Sequence, residues 1–115
     1  MKITFYGVTK FPVLEFIKKL DVRDRAKVLA CLKSIEDLGF DSPRVQFRQI
    51  RGKLWEIKIK AATSGYRIFY VSVQQDKLVL LHAYKKQSER APVKEISIAE
   101  KRMLEVIEHE SNYIN

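Results

Sequence analysis

The sequence predicts an α+β fold in which helices pack on a curved antiparallel sheet. Two observations carry this. Apolar residues recur at helical spacing through the first forty positions, and from Phe47 the period changes to two. A third is the set of short turn signals that separates the later strands, which makes them an antiparallel meander. At 115 residues the chain fits a single domain over 1–115, with one core.

Ile3-Thr4-Phe5-Tyr6 reads as a short strand broken by Gly7. Pro12 suits the first turn of a helix, where its missing N–H is not needed. Val13, Phe16, Ile17 and Leu20 continue that helix. Asp21 is placed to cap a second one, with Val28, Leu32, Ile35 and Leu38 as its stripe and Leu29 and Cys31 beside it. Gly39 stands where a left-handed C-cap belongs, and Asp41-Ser42-Pro43 makes a loop. This helical hairpin reads as a cover for a sheet.

Trp55, Ile57 and Ile59 alternate with Glu56, Lys58 and Lys60, as in a strand with one wet face. After Ala62-Thr63-Ser64-Gly65 comes a second strand, 66–73, rich in aromatic and β-branched residues. Gln74-Gln75-Asp76 then turns into Leu78–Tyr84, nearly continuous in apolar residues and so expected to be buried on both faces. Pro92 opens a last helix whose inner face carries Ile96, Ala99, Met103, Val106 and Ile107, and the tail 110–115 is expected to fray. The predicted order is β-αα-βββ-α.

Net charge is +8, and it is segregated. Residues 44–90 hold eleven Lys/Arg against three Asp/Glu, while 1–43 hold eight against six and 91–115 three against five. A one-signed segment of this kind suits a polyanion; docking on an acidic protein is the alternative. One cysteine, Cys31, makes neither an internal disulfide nor a cysteine zinc site, and fits a small buried hydrophobe. The chain has no GxxxxGK[ST], CxxC, HExxH or GxGxxG pattern, and His82 and His109 are far apart in sequence. His82 reads as a core or rim histidine and His109 as a helix-end residue. No metal or cofactor is expected. No apolar run reaches the ~20 residues of a membrane span, and the first residues carry no signal-peptide pattern, so a cytoplasmic protein is expected.

The chemistry-bearing residues cluster on the predicted sheet. Arg67 interrupts an apolar strand where an unpaired charge is costly. Either it grips a phosphate or it makes an ion pair with Glu56 on the adjacent strand. The phosphate reading expects Arg67 to be exposed and ringed by other cations. Lys53, Lys58, Tyr84 and Lys86 are the other candidate catalytic residues, with Arg48, Arg51, Tyr70, Lys85 and Arg90 as candidate RNA contacts. A lysine crowded by like charges gives up its proton more readily, which makes Lys53 and Lys58 candidates for a base, with Tyr84 behind them.

Gly65-Tyr66-Arg67-Ile68-Phe69-Tyr70 resembles a signature strand of RelE/ParE-superfamily toxins, and Leu54-Trp55-Glu56-Ile57-Lys58 is similar to the strand before it. Leu80-Leu81-His82-Ala83-Tyr84-Lys85-Lys86-Gln87, then Pro92-x-x-Glu95-Ile96-x-x-Ala99-x-x-Arg102, resembles the end of the HigB-like, phage-associated branch. Pro12-Val13-x-x-Phe16-Ile17-x-x-Leu20 matches its first helix. The likeness spans roughly residues 2–108. It implies a RelE-like fold and a type II toxin that cuts messenger RNA on the ribosome without a metal. It also implies a helix-turn-helix antitoxin as partner, with DNA reached only through that antitoxin. By resemblance Arg67 holds the scissile phosphate, Lys86 with Lys85 forms the basic pair ending the last strand, and Lys58 is the lysine of the preceding strand. The chain departs from RelE in carrying Glu56 where RelE has a strand lysine, and in having the Pro92–Glu95 helix start, with no evident equivalent, where RelE has its C-terminal tyrosine.

Attack by the RNA 2′-hydroxyl on its own phosphate fits these residues, because it needs only clamping, charge stabilisation and proton transfer. Two alternatives stay open: a ParE-like gyrase inhibitor, which shares the fold but favours a longer helical hairpin, and a non-catalytic nucleic-acid-binding protein of phage type.

Overall fold

A computed structural model describes residues 1–114. Among these, β1 (Lys2–Phe5) leads into α1 (Pro12–Lys18) and α2 (Val22–Leu38). The strands β2 (Gln46–Arg51), β3 (Leu54–Lys60), β4 (Gly65–Val73) and β5 (Lys77–Lys85) follow, then α3 (Val93–Glu108). Single 3-10 turns occupy Gly39–Asp41 and Glu110–Tyr113. The architecture is α+β, as the sequence predicts. No helix among the described residues is long and apolar enough to cross a membrane.

The sheet corrects two expectations. It has five strands in the order β1-β5-β4-β3-β2, and it is mixed. β2 to β5 form the antiparallel meander, whereas β1 lies parallel to β5, with Ile3 opposite Leu78 and Phe5 opposite Leu80. β1 thereby pairs the outer edge of β5, which would otherwise present unpaired peptide groups. The additional strand, β2, follows from the segment around Phe47: its Arg48 lies opposite Glu56 and its Gln46 opposite Lys58.

Helices cover both faces. On one side α1 and α2 enclose Val13, Ile17, Val28, Cys31, Leu32 and Ile35 with Ile57, Ile59, Ile68, Tyr70, Leu78 and Leu80 of the sheet. On the other, Ala99 and Val106 of α3 cover Leu54, Phe69, Val71, Val79 and Leu81. β5 therefore has apolar residues on both faces, as expected. Its register slips between Phe69–His82 and Tyr70–Leu80, leaving Leu81 as an extra residue that points with Val79 toward α3.

Local signals work where expected. The Asp21 carboxylate accepts from Arg23 N–H at 2.9 Å to start α2, and Gly39 ends it at φ +61°. The β4–β5 turn holds Gln74 and Gln75 at φ of 52° and 66°, conformations in which L side chains are uncommon. Leu38 and Ile107, assigned to apolar stripes, lie exposed near helix ends. The tail departs from expectation: Tyr113 is buried and its hydroxyl accepts from Gly7 N–H at 3.2 Å, so the segment up to 114 is tied to the loop after β1. Residue 115 lies outside the described residues.

Candidate nucleic-acid interface

Strand alternation decides which candidates meet. Cα register places Gln46, Lys58, Arg67 and Tyr84 in one row across β2–β5, and Arg48, Glu56, Phe69 and His82 in the next. Both rows face the side that carries α3, but α3 covers only part of it. Beyond the helix lies an open cleft of about 500 Å³. Its charged lining is Arg44, Lys58, Lys60, Arg67 and Lys86, with no carboxylate among the lining residues.

The structure brings together Lys58, Arg67 and Lys86 of the predicted set. It corrects the expectation of an exposed Arg67, which is only 2% exposed. Its Nη1 donates to Glu56 Oε1 at 3.1 Å. Glu56 is wholly buried, not on a wet face, because the same oxygen also pairs with Arg48 Nη2 at 3.0 Å while Tyr84 Oη donates to its second oxygen at 3.4 Å. Two guanidinium groups and a phenol make burial of that charge tolerable. Among the described residues no fully buried side-chain nitrogen or oxygen lacks a partner. The Nε and Nη2 of Arg67 make no other bond in the protein and are not completely sealed, and Arg67 is one of the cleft's lining residues. Of the two roles posed by the sequence the ion pair is present, and Arg67 lines the cleft as well.

Other candidates separate. Burial, reinforced by the Glu56 charge, raises the Tyr84 phenol to about 12, so it holds its proton and is a poor base. Tyr70 points to the opposite face, packs its ring 6.0 Å from that of Phe47 and is buried, which pushes its phenol far up. It is not available to RNA. Lys85 is exposed but lies opposite Tyr66, which faces α2, so only Lys86 of the pair enters the cleft. Lys86 Nζ also pairs with Glu89 at 2.7 Å. Arg51 commits its Nε and Nη2 to both oxygens of Glu100 at 2.7 Å, tying β2 to α3. Lys53 is exposed beside the β2–β3 turn and does not line the cleft. Arg48 and Arg90 line an adjoining groove.

Arg44 and Lys60 are cleft residues that the sequence reasoning did not single out. Lys60 carried a signal, since it follows Lys58 by two positions and so shares its face. Arg44 carried none, because its place depends on the loop into β2. His82 has an acidic neighbour that the sequence separation concealed: its Nε2 lies 2.9 Å from Glu95 of α3, and burial lowers its pKa despite that carboxylate.

A search of curated proteins returns no match. The family model for phage-derived Gp49-like proteins (DUF891) matches residues 15–104, a span that includes both rows and all the cleft residues. The chain therefore belongs to the Gp49-like phage-derived family, which is related to RelE-type toxins.

Proposed function

We propose that the protein is the toxin of a HigB-like type II toxin–antitoxin pair, a metal-independent endoribonuclease acting on ribosome-bound messenger RNA in the cytoplasm. One observation supports this best: five cationic side chains, Arg67 among them, line a single open cleft whose lining includes no carboxylate. Such a cleft favours the phosphodiester backbone and the extra charge of its transition state.

In the proposed reaction the 2′-oxygen bonds to phosphorus while the bond from phosphorus to the 5′-oxygen breaks, giving a 2′,3′-cyclic phosphate and a 5′-hydroxyl. Lys58 accepts the 2′-hydroxyl proton and Lys86 returns one to the leaving 5′-oxygen. Arg67 holds two non-bridging oxygens, and Arg44 and Lys60 hold neighbouring phosphates. The ribosome supplies alignment, which by itself lowers a barrier by several kcal/mol. A helix-turn-helix antitoxin would neutralise the toxin by covering this cleft.

Mapping RNA 5′ ends after induction tests the proposal. Wild type should leave clustered 5′-hydroxyl ends on translated messages, and Arg67→Ala should lower cleavage by roughly 10²–10³-fold, as for loss of one transition-state donor. Undiminished cutting by that variant removes Arg67 from the reaction.

A second reading is favoured by the Tyr84 phenol, which is held protonated, and by Glu56, which already offsets part of the local positive charge. In it the protein binds nucleic acid without cutting. It predicts retention of RNA that weakens steeply with salt, and no new ends.

A further inference from the structure

We propose that Glu56 is a positioning residue that turns Arg67 into a preset phosphate fork and couples it to Arg48; this rests on the reading of the cleft as an RNA site. The argument lies in which edge of each guanidinium is occupied. Glu56 takes only Nη1 of Arg67. The parallel donors Nε–H and Nη2–H, which match two non-bridging phosphate oxygens, stay unbonded and are not completely sealed from the cleft that Arg67 lines. Arg51 shows the contrary arrangement: its Nε and Nη2 are consumed by Glu100, so its fork is closed to ligand.

Glu56 Oε1 also pairs with Arg48 Nη2, which keeps the two bonded nitrogens within about 6 Å of each other. Arg67 lines the basic cleft and Arg48 the groove beside it. Glu56 thus lies beneath the boundary between the two depressions, joining an arginine from each. The arrangement suits a single strand whose consecutive phosphates meet Arg67 and then Arg48. A buried ion pair is weak evidence for stability by itself, since an apolar pair of similar volume often serves as well. Orientation of a ligand-facing edge gives the buried carboxylate a role that an apolar substitute lacks.

The test is a double-mutant cycle on full-length protein with a single-stranded RNA oligonucleotide made uncleavable by 2′-deoxy substitution. Far-UV circular dichroism first selects variants that keep the fold. Arg67→Lys should weaken binding about tenfold in the wild-type background, the value of one charge-assisted fork. In the Glu56→Gln background it should cost less than about twofold, because the fork is no longer aimed. Glu56→Asp, which keeps the charge but withdraws the carboxylate, is the second background if Glu56→Gln fails to fold, and it should show the same loss of coupling. Glu56→Gln alone should also lower the rate at which translated messages are cut. Equal effects of Arg67→Lys in both backgrounds overturn the positioning role, even if RNA is cut. Coupled binding with no cleavage of translated messages by wild type keeps the positioning role and overturns the nuclease. Absence of saturable RNA binding by wild type overturns the positioning role.

Discussion

Asp24 and Glu56 sit on opposite sides of one sheet, each without exposed surface, and each is satisfied differently. Asp24, near the start of α2, accepts from Thr63 N–H at 2.9 Å, from the Thr63 hydroxyl at 2.5 Å and from the Tyr66 hydroxyl at 2.6 Å. These donors are neutral and close the site, pinning α2 to the β3–β4 turn. Their hydrogen bonds, those of Thr63 first, hold the Asp24 carboxyl below its ordinary range. Glu56 is met by two arginines at the margin of an open cleft. A closed set of neutral donors fixes structure. A shared set of cationic donors leaves part of each cation available to something outside.

Several experiments can break or sharpen this contrast. The largest effect on stability is expected for Glu56→Ala, which leaves Arg67 buried without its counter-charge; urea unfolding should show a loss of about 3–5 kcal/mol. Asp24→Asn should come next, with a clear fall in urea midpoint at neutral pH and unchanged RNA retention. Its pH dependence is the sharper readout. Because the folded-state pKa of Asp24 is lowered, the stability it adds is present above the ordinary aspartate value of about 3.9 and is lost as pH falls through the lower folded value. The gap between wild type and Asp24→Asn should therefore narrow only in that acidic window; a constant gap from neutrality into acid would remove the carboxylate as its source. A smaller effect is expected for Lys86→Ala, which should reduce the salt slope of RNA binding by about one. Lys33→Ala breaks an exposed pair with Asp37 at 3.3 Å on α2; it should leave that slope unchanged and cost no more than about 0.5 kcal/mol.

Much of this architecture was legible in the sequence because it rests on near-neighbour rules. Helical spacing located α1, α2 and α3, and the Asp21 cap and Gly39 stop bounded α2. Alternation located β3, enrichment in aromatic and β-branched residues located β4, and a nearly continuous apolar run located β5. Where alternation was taken to mean a wet face it failed at Glu56, since period two shows that neighbours face opposite ways and says nothing of what covers each side. The parallel pairing of β1 and the docking of Tyr113 near Gly7 were hidden for a related reason: both join segments far apart in the chain.

The amino-acid order alone determined the element types, the concentration of positive charge in residues 44–90, and the placing of Lys58 and Lys60 on one side of a strand. Periodicity and composition are local properties, so they survive without a fold. Only the tertiary structure decided that Arg67 is paired with Glu56 and lines the cleft, that Lys86 enters the cleft while Lys85 does not, that Tyr70 is removed from the site, and that Arg44 joins it. Each of those outcomes depends on which strand lies beside which, and on how far α3 reaches across the sheet.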